Sequence, residues 1–462
     1  MPLPPASVNS QLVMPPKPKL PRRLKLPLAD VRGALQLAVT ATQQVTGLVE
    51  TLHGQIQRLA LPLRRRRADT DVDADHDGLP GAQGLTHWVY RSIQATTRLA
   101  GGGVAGLLAA LDLPRLAPPE TAPRRDAWVA ALNGVLGDHL QRSGNPLAVP
   151  MQLRQNGLAV ADADLQAAAL AAAAALSDAV ASPVPPGSVA ARPGRLLLMI
   201  HGLCMSDLGW CREGHDHGQH LAADLGLTPV YAWYNSGLHI ATNGALLADR
   251  LERLLITAPD ALQELVIVGH SMGGLVARSA CHQAMAAGHA WPARLQKMVF
   301  LGSPHHGAPL ERGGNWLHRA MGLSPYVAPF TRLTGLRSDG ITDLRHGRLL
   351  AADWQGAARF DARDLRRPVP LPAGVACYAM ASLSHVAGPP AALRRVAPLA
   401  SSASALLGDG LVPLNSALGR HRRRALHLGF PKDRQWVGQG IHHLALLNDP
   451  QVYRQLLAWL SD

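Results

Sequence analysis

The chain has 462 residues, 47% of them hydrophobic and 17% charged, a balance that excludes a disordered or fibrous protein and leaves room for more than one domain. Its 45 Lys+Arg against 32 Asp+Glu give a formal charge of +13. The arginines are scattered, without an aromatic platform or a zinc-ligand framework, so no nucleic-acid partner is expected and the excess suits at most weak contact with an anionic membrane surface. Four cysteines, Cys204, Cys211, Cys281 and Cys377, are too few for a disulfide scaffold and read as reduced thiols.

Residues 1–27 are rich in proline and base and read as a flexible tail. They hold no apolar h-region, so no signal peptide is expected, and the chain is expected in the cytoplasm, either free or held peripherally at a membrane. Asp30 caps a predicted helix running toward Leu61, with Leu35, Val39, Leu48, Leu52, Ile56 and Leu59 on one face. Beyond Arg64–Arg67, Asp73-x-Asp75-x-Asp77-Gly78 matches the first half of a calcium loop. Gly84 stands where such a loop needs its bidentate carboxylate, so the stretch reads as a solvated linker. Further helices are expected over 85–111, Trp128–Leu140 and the alanine run 165–181. That run carries Gln166, Ser177 and Asp178 and fails as a membrane span. Residues 28–190 therefore read as a mainly α-helical region without a strand, closed by the Pro/Gly-rich stretch Ser182–Gly194.

From 191 to 462 the pattern changes. Strands are expected at Arg195–Ile200, Thr228–Trp233, Glu264–Val268, Lys297–Leu301, Val375–Met380 and Ala425–Gly429, with helices at Ala241–Ile256 and Gly273–Ala287 between them. Such alternation implies a mostly parallel sheet covered on both faces. The interval 304–372 is too long for a simple crossover. Its amphipathic composition, including Trp316, Leu317, Tyr326 and Phe330, suits a lid.

One stretch carries the chemistry. Leu265–Val268 is an unbroken apolar run, followed by Gly269-His270-Ser271-Met272-Gly273 and then by a helical sequence. Strand, sharp turn and helix is the setting of a nucleophile elbow, with Ser271 at its tip and Gly269 and Gly273 where side chains would collide with neighbouring backbone. A serine nucleophile requires a base, an orienting acid and donors for an oxyanion. The strand 196–200 runs into His201-Gly202-Leu203, which offers the Leu203 amide as one donor and that of Met272 as the other; His201 reads as structural, bonding nearby loop backbone. Asp409, between Gly408 and Gly410 on a tight turn, is the favoured acid, with Asp343 and Asp353 as rivals inside the presumed lid. His443 is the favoured base and His442 its alternative. His215, His217 and His220, and His305 with His306, are spaced closely enough to suggest a metal. They lack a completing framework, so no metal and no cofactor are expected.

On HGL at 201–203, GHSMGG at 269–274, GSPHHGAP at 302–309, GDGLVP at 408–413 and HLALL at 443–447, the chain resembles the α/β-hydrolase superfamily. Within it the likeness is to bacterial lipases and esterases and to the lipase-like group that includes GPI inositol-deacylase. The resemblance covers roughly 195–462. It implies acylation of Ser271, proton relay through His443 with Asp409, release by water, and pocket-shaping roles for Pro304, His305 and Gly307. The implied activity is cofactor-free hydrolysis of carboxylic esters of apolar acyl chains, from an ester or lipid substrate. A thioesterase or acyltransferase would use the same site, and a non-catalytic scaffold on this fold is the alternative of a different class.

Overall fold

A computed structural model describes residues 29–30, 32–37, 123–179, 193–308, 337–354, 363–384 and 408–461. The chain divides into two compact units, 1–116 and 117–462. In the first, residues 29–30 and 32–37 are helical. The rest of the helix expected from Asp30 to Leu61, the acidic linker and the 85–111 helices lie outside the described residues.

The second unit is built on an eight-stranded sheet. In chain order its main elements are α1 (Pro123–Arg142), β1 (Gln152–Gln155), β2 (Leu158–Ala159), α2 (Asp162–Ala179), β3 (Arg195–Ile200), α3 (His217–Leu225), β4 (Thr228–Trp233), α4 (Ile240–Thr257), β5 (Glu264–His270), α5 (Met272–Ala287), β6 (Leu295–Leu301), β7 (Ala376–Leu383), β8 (Gln435–Gln439) and α6 (Pro450–Ser461). The strand order is β2-β1-β4-β3-β5-β6-β7-β8. From β4 to β8 every pairing is parallel, and β1 is antiparallel to both β4 and β2.

Two-residue periodicity explains why the central strands read as unbroken apolar runs. Leu196, Leu198 and Ile200 of β3, Leu265 and Ile267 of β5, and Met298 and Phe300 of β6 join one core with α2, α4 and α5. The alternate residues, Leu197, Met199, Val266, Val268, Val299 and Leu301, join a second core with α3 and α6 on the other face. Each such fully buried aliphatic side chain contributes roughly 1.5–3 kcal/mol relative to exposure. Gly244 on α4 lets that helix close on α5, since a Cβ there would stand 2.3 Å from Ser279 Oγ. The parallel, doubly covered sheet with its strand–serine–helix turn is an α/β-hydrolase fold.

The described residues differ from the sequence reading in three places. First, the region read as helical up to 190 contributes β1 and β2 to the sheet. Their turn is Asn156-Gly157, with φ of 51° and 79°, the primed hairpin turn for which Asn-Gly is the strongest local signal. The signal lies in RQNGLA at 154–159. Second, α1 and α2 are bound into the sheet domain, so a boundary near 190 does not divide it. Asn235 Nδ2 donates to the Gly137 carbonyl at 2.9 Å, Arg154 pairs with Asp126 at 2.9 Å and Asp207 at 3.3 Å, and Arg250 pairs with Asp162. A proline-rich stretch ends local structure, whereas domain membership is decided by such long-range contacts. Third, Ala425–Gly429 is not a strand. Residues Arg424–Leu426 form a 3-10 turn and the last strand is Gln435–Gln439. Being at the sheet edge, β8 does not need to be apolar on both faces.

Of the lid expected over 304–372, residues 309–336 and 355–362 lie outside the described residues. The described parts are fastened to α4 and α5. Ser279 Oγ donates to the Leu349 carbonyl at 2.7 Å, and Asp343 accepts from the Ile240 amide at 2.9 Å. Among the described residues, no helix is long and apolar enough to cross a membrane.

Candidate active site

β5 ends at His270 and α5 begins at Met272, leaving Ser271 alone at φ 53° and ψ −123°. A non-glycine residue there is strained by roughly 1–3 kcal/mol, and its surroundings hold it. The Ser271 amide donates to the Leu301 carbonyl at the end of β6 at 2.8 Å. A Cβ at Gly273 would stand 2.2 Å from the Ile200 carbonyl oxygen, and one at Gly269 would stand 2.6 Å from Gly274 Cα. Only glycine permits that approach of helix to strands, because backbone cannot yield as a side-chain tip can. Gly202 lies against the serine, where a Cβ would be 3.0 Å from Ser271 Cβ.

The acid and the imidazole come from the loops after β7 and β8. Asp409 is 2% exposed and His443 4%. Asp409 Oδ1 accepts from the Leu411 amide at 3.0 Å and the Val412 amide at 2.8 Å, and its Oδ2 lies 2.6 Å from His443 Nδ1. The His443 amide also donates to the Asp409 carbonyl at 3.0 Å, so the two residues are tied through backbone and side chain. Since the carboxylate accepts, Nδ1 carries the hydrogen and Nε2 is left with a free lone pair. The pair sits at the end of β6. At Gly302 (φ +56°), directly after the residue that receives the Ser271 amide, a Cβ would lie 3.1 Å from His443 Nδ1 and 3.0 Å from Asp409 Oδ2. No hydrogen bond joins Ser271 Oγ to the imidazole among the described contacts.

His270, the second residue of the pentapeptide, is a part that spacing did not reveal. Its Nε2 meets the His443 carbonyl at 3.1 Å and the two rings lie 4.7 Å apart. Burial, with His443 beside it, holds the His270 imidazole well below its ordinary value, so it is neutral. The neutral ring donates from Nε2 to that carbonyl and tethers the His443 loop to the turn. Nothing in the local sequence marks this role, because the partner lies more than 170 positions away.

The other singled-out residues are placed as follows. Leu203 is half-buried, and Met272 is the first residue of α5, where helical amides lack intrahelical partners. Cys204, the residue after Leu203, adopts φ 59° and donates its amide to Ser236 Oγ at 3.1 Å. His201 bonds the Gly202 carbonyl through Nδ1 at 2.8 Å and stacks on Tyr234 at 4.3 Å. His442 is exposed, its Nδ1 accepting from the Ala445 amide. Asp343 serves the Ile240 amide and His239, and Asp353 accepts from the Leu349, Leu350 and Arg367 amides, so neither rival acid is at His443. His215 Nε2 meets His217 Nδ1 at 2.7 Å and His217 Nε2 meets the Leu446 carbonyl at 3.1 Å, while His220 stacks on His215 and bonds the Asp216 carbonyl through Nδ1. Among the described residues, no group of His, Cys, Asp or Glu is arranged to hold a metal ion.

The buried histidines make a pH prediction. Burial pushes His201 down to about 4 and, with His215 as the next cause, His217 down to about 3. Unfolded, both take up protons near pH 6.5. Their neutral burial thus stabilises the fold fully above that pH, and the contribution is lost as pH falls through the folded values. His201 alone accounts for on the order of 3 kcal/mol. The melting temperature should drop steeply between pH 6.5 and 4, and His217→Gln should flatten the slope. An unchanged slope in that variant would rule out His217 as a source.

A family model described as Domain of unknown function (DUF7379) matches residues 165–324, about a third of the chain. No curated protein sequence matches. Among solved structures, the chain is similar to the Bacillus licheniformis lipase BlEst2 in mature form, at 18% identity and TM-score 0.36, over 59% of this chain and 95% of that one. It is also similar to the lin2722 product of Listeria innocua, at 16% identity and TM-score 0.32, over 58% and 94%. A third similarity is to YbtT, a type II thioesterase of the yersiniabactin NRPS/PKS pathway, at 17% identity and TM-score 0.33, over 60% and 94%. With every one of these TM-scores below 0.5, the α/β-hydrolase architecture stands on the chain's own strand order and serine turn.

Proposed function

We propose that the protein is a serine hydrolase that cleaves carboxylic esters through an acyl-enzyme on Ser271. The observation that carries this reading is the 2.6 Å Asp409–His443 pair, which packs on Gly302, the residue directly after the Leu301 carbonyl that accepts the Ser271 amide. With Nδ1–H held by Asp409, His443 Nε2 is the proton acceptor. When a substrate fills the site, Ser271 Oγ attacks the ester carbonyl and its proton passes to Nε2. The Leu203 and Met272 amides stabilise the oxyanion, and Asp409 stabilises the imidazolium. The imidazolium then protonates the leaving alcohol. Water, deprotonated by the same nitrogen, releases the acid and restores the serine. His201 and Gly202 shape the strand end that presents Leu203, and Gly269 and Gly273 allow the turn. The amphipathic composition of 304–372, which suits a lid at an apolar substrate, supports esters of apolar acyl chains as the substrate class.

The test is labelling with a fluorophosphonate probe, location of the adduct by peptide mass spectrometry, and turnover of p-nitrophenyl esters of rising chain length beside an acyl thioester. Stoichiometric adduct on Ser271 and ester turnover are expected. An unlabelled Ser271 in folded protein would end the reading, and faster turnover of the thioester would reassign the leaving group to a thiol.

A further inference from the structure

Two segments of the sheet domain, 363–370 ahead of β7 and 420–434 ahead of β8, meet and bring an arginine cluster together. Arg423 Nη2 pairs with Asp364 Oδ2 at 3.0 Å and donates to the Asp364 carbonyl, also at 3.0 Å. A second tie runs through His421. Its ring lies 4.9 Å from that of His306, whose Nδ1 faces Arg366 Nη2 at 3.0 Å. On these segments Arg367, Arg420, Arg422, Arg424 and Lys432 are exposed, as is Arg423 itself. Leu365, between Asp364 and Arg366, is 60% exposed.

The charges on these segments are not balanced internally. Asp364 is shared by two arginines, its Oδ1 lying 3.2 Å from Arg366 Nε and its Oδ2 on Arg423. The other carboxylate on the two segments is Asp433. Asp353, buried nearby, already accepts from the Leu349, Leu350 and Arg367 amides. Arg420 bonds the neutral Gln435 at 2.7 Å. Among the described residues, Arg367, Arg422, Arg424 and Lys432 have no ion-pair partner. Guanidinium groups stay charged at any physiological pH, so the cluster repels itself until an anionic surface lies against it. Their forked donors match the oxygens of phosphate headgroups. A single nucleic-acid strand would want rings on which to stack its bases, and neither segment exposes a Phe, Tyr or Trp. An exposed leucine among cations suits a surface with charged heads over an apolar interior.

We propose that the junction of 363–370 with 420–434 docks the protein on an anionic lipid leaflet, its arginines at the phosphates and Leu365 between the headgroups. The proposal does not depend on the hydrolase reading. Each cation brought to such a leaflet strengthens binding roughly fivefold, and the attraction fades with added salt.

The test is co-sedimentation of the full chain with phosphatidylcholine vesicles, plain or carrying one third phosphatidylserine, at physiological salt. Wild type is expected to bind the anionic vesicles and not the plain ones. Combining Arg422→Gln with Arg424→Gln should weaken that binding at least tenfold, and Leu365→Ser should weaken it at least twofold. Arg253→Gln with Arg294→Gln removes the same charge from exposed positions outside the two segments and should weaken it less than threefold. Absence of wild-type binding overturns the proposal, as do equal losses in the two double variants. Undiminished binding in the first double variant also overturns it, placing the contact elsewhere, for instance on the basic residues 1–27. Binding indifferent to Leu365→Ser overturns it too. Duplex or single-stranded DNA held more tightly than the vesicles in the same salt would reassign the surface to a nucleic acid.

Discussion

Replacing Ser271 with alanine is expected to lower kcat for ester hydrolysis by about 10⁶, because nucleophile, base and acid act as one unit and losing the nucleophile removes the covalent route entirely. The fold should survive. The turn is held by backbone contacts, the Ser271 amide to the Leu301 carbonyl and the close approach of Gly273 to Ile200, none of which uses the hydroxyl. Melting temperature should therefore stay near that of wild type while fluorophosphonate labelling disappears. A variant keeping a tenth of wild-type kcat would exclude Ser271 as the nucleophile.

Asp409→Asn should reduce kcat by about 10⁴ through the tautomer rather than the fold. The asparagine oxygen still accepts from the Leu411 and Val412 amides, the two bonds now made by Oδ1. That leaves its NH2 group facing His443 Nδ1, so the imidazole must turn Nδ1 into an acceptor and carry its hydrogen on Nε2. There it can no longer take the serine proton. Asp343→Asn is the matched control, since that carboxylate serves His239 and the Ile240 amide and should leave kcat within about twofold. Equal losses in the two variants would point to general destabilisation, and an Asp409→Asn enzyme within tenfold of wild type would show that the carboxylate does not orient the base.

Much of the site was readable because its signals are local. Ser271 stands in a pentapeptide between an apolar run and a helix, and Asp409 stands between glycines whose φ values, 53° and 97°, side chains rarely adopt. The flanking glycines favour Asp409 over Asp343 and Asp353, and the adjoining apolar run favours His443 over His442. Among the described residues, the carboxylate bonded to the His443 imidazole is that of Asp409. His270 as a tether and Gly302 as the residue on which Asp409 and His443 pack carry no local mark. Each depends on residues distant in sequence.

The sequence by itself determined the parallel sheet, the serine turn and the candidate acid and base. Backbone geometry and two-residue apolar periodicity are properties of short segments. Only the tertiary structure decided that 123–179 belongs to the sheet domain and that the last strand is Gln435–Gln439. Edge pairing, helix docking and charge compensation are set by what long-range packing brings within a few ångströms.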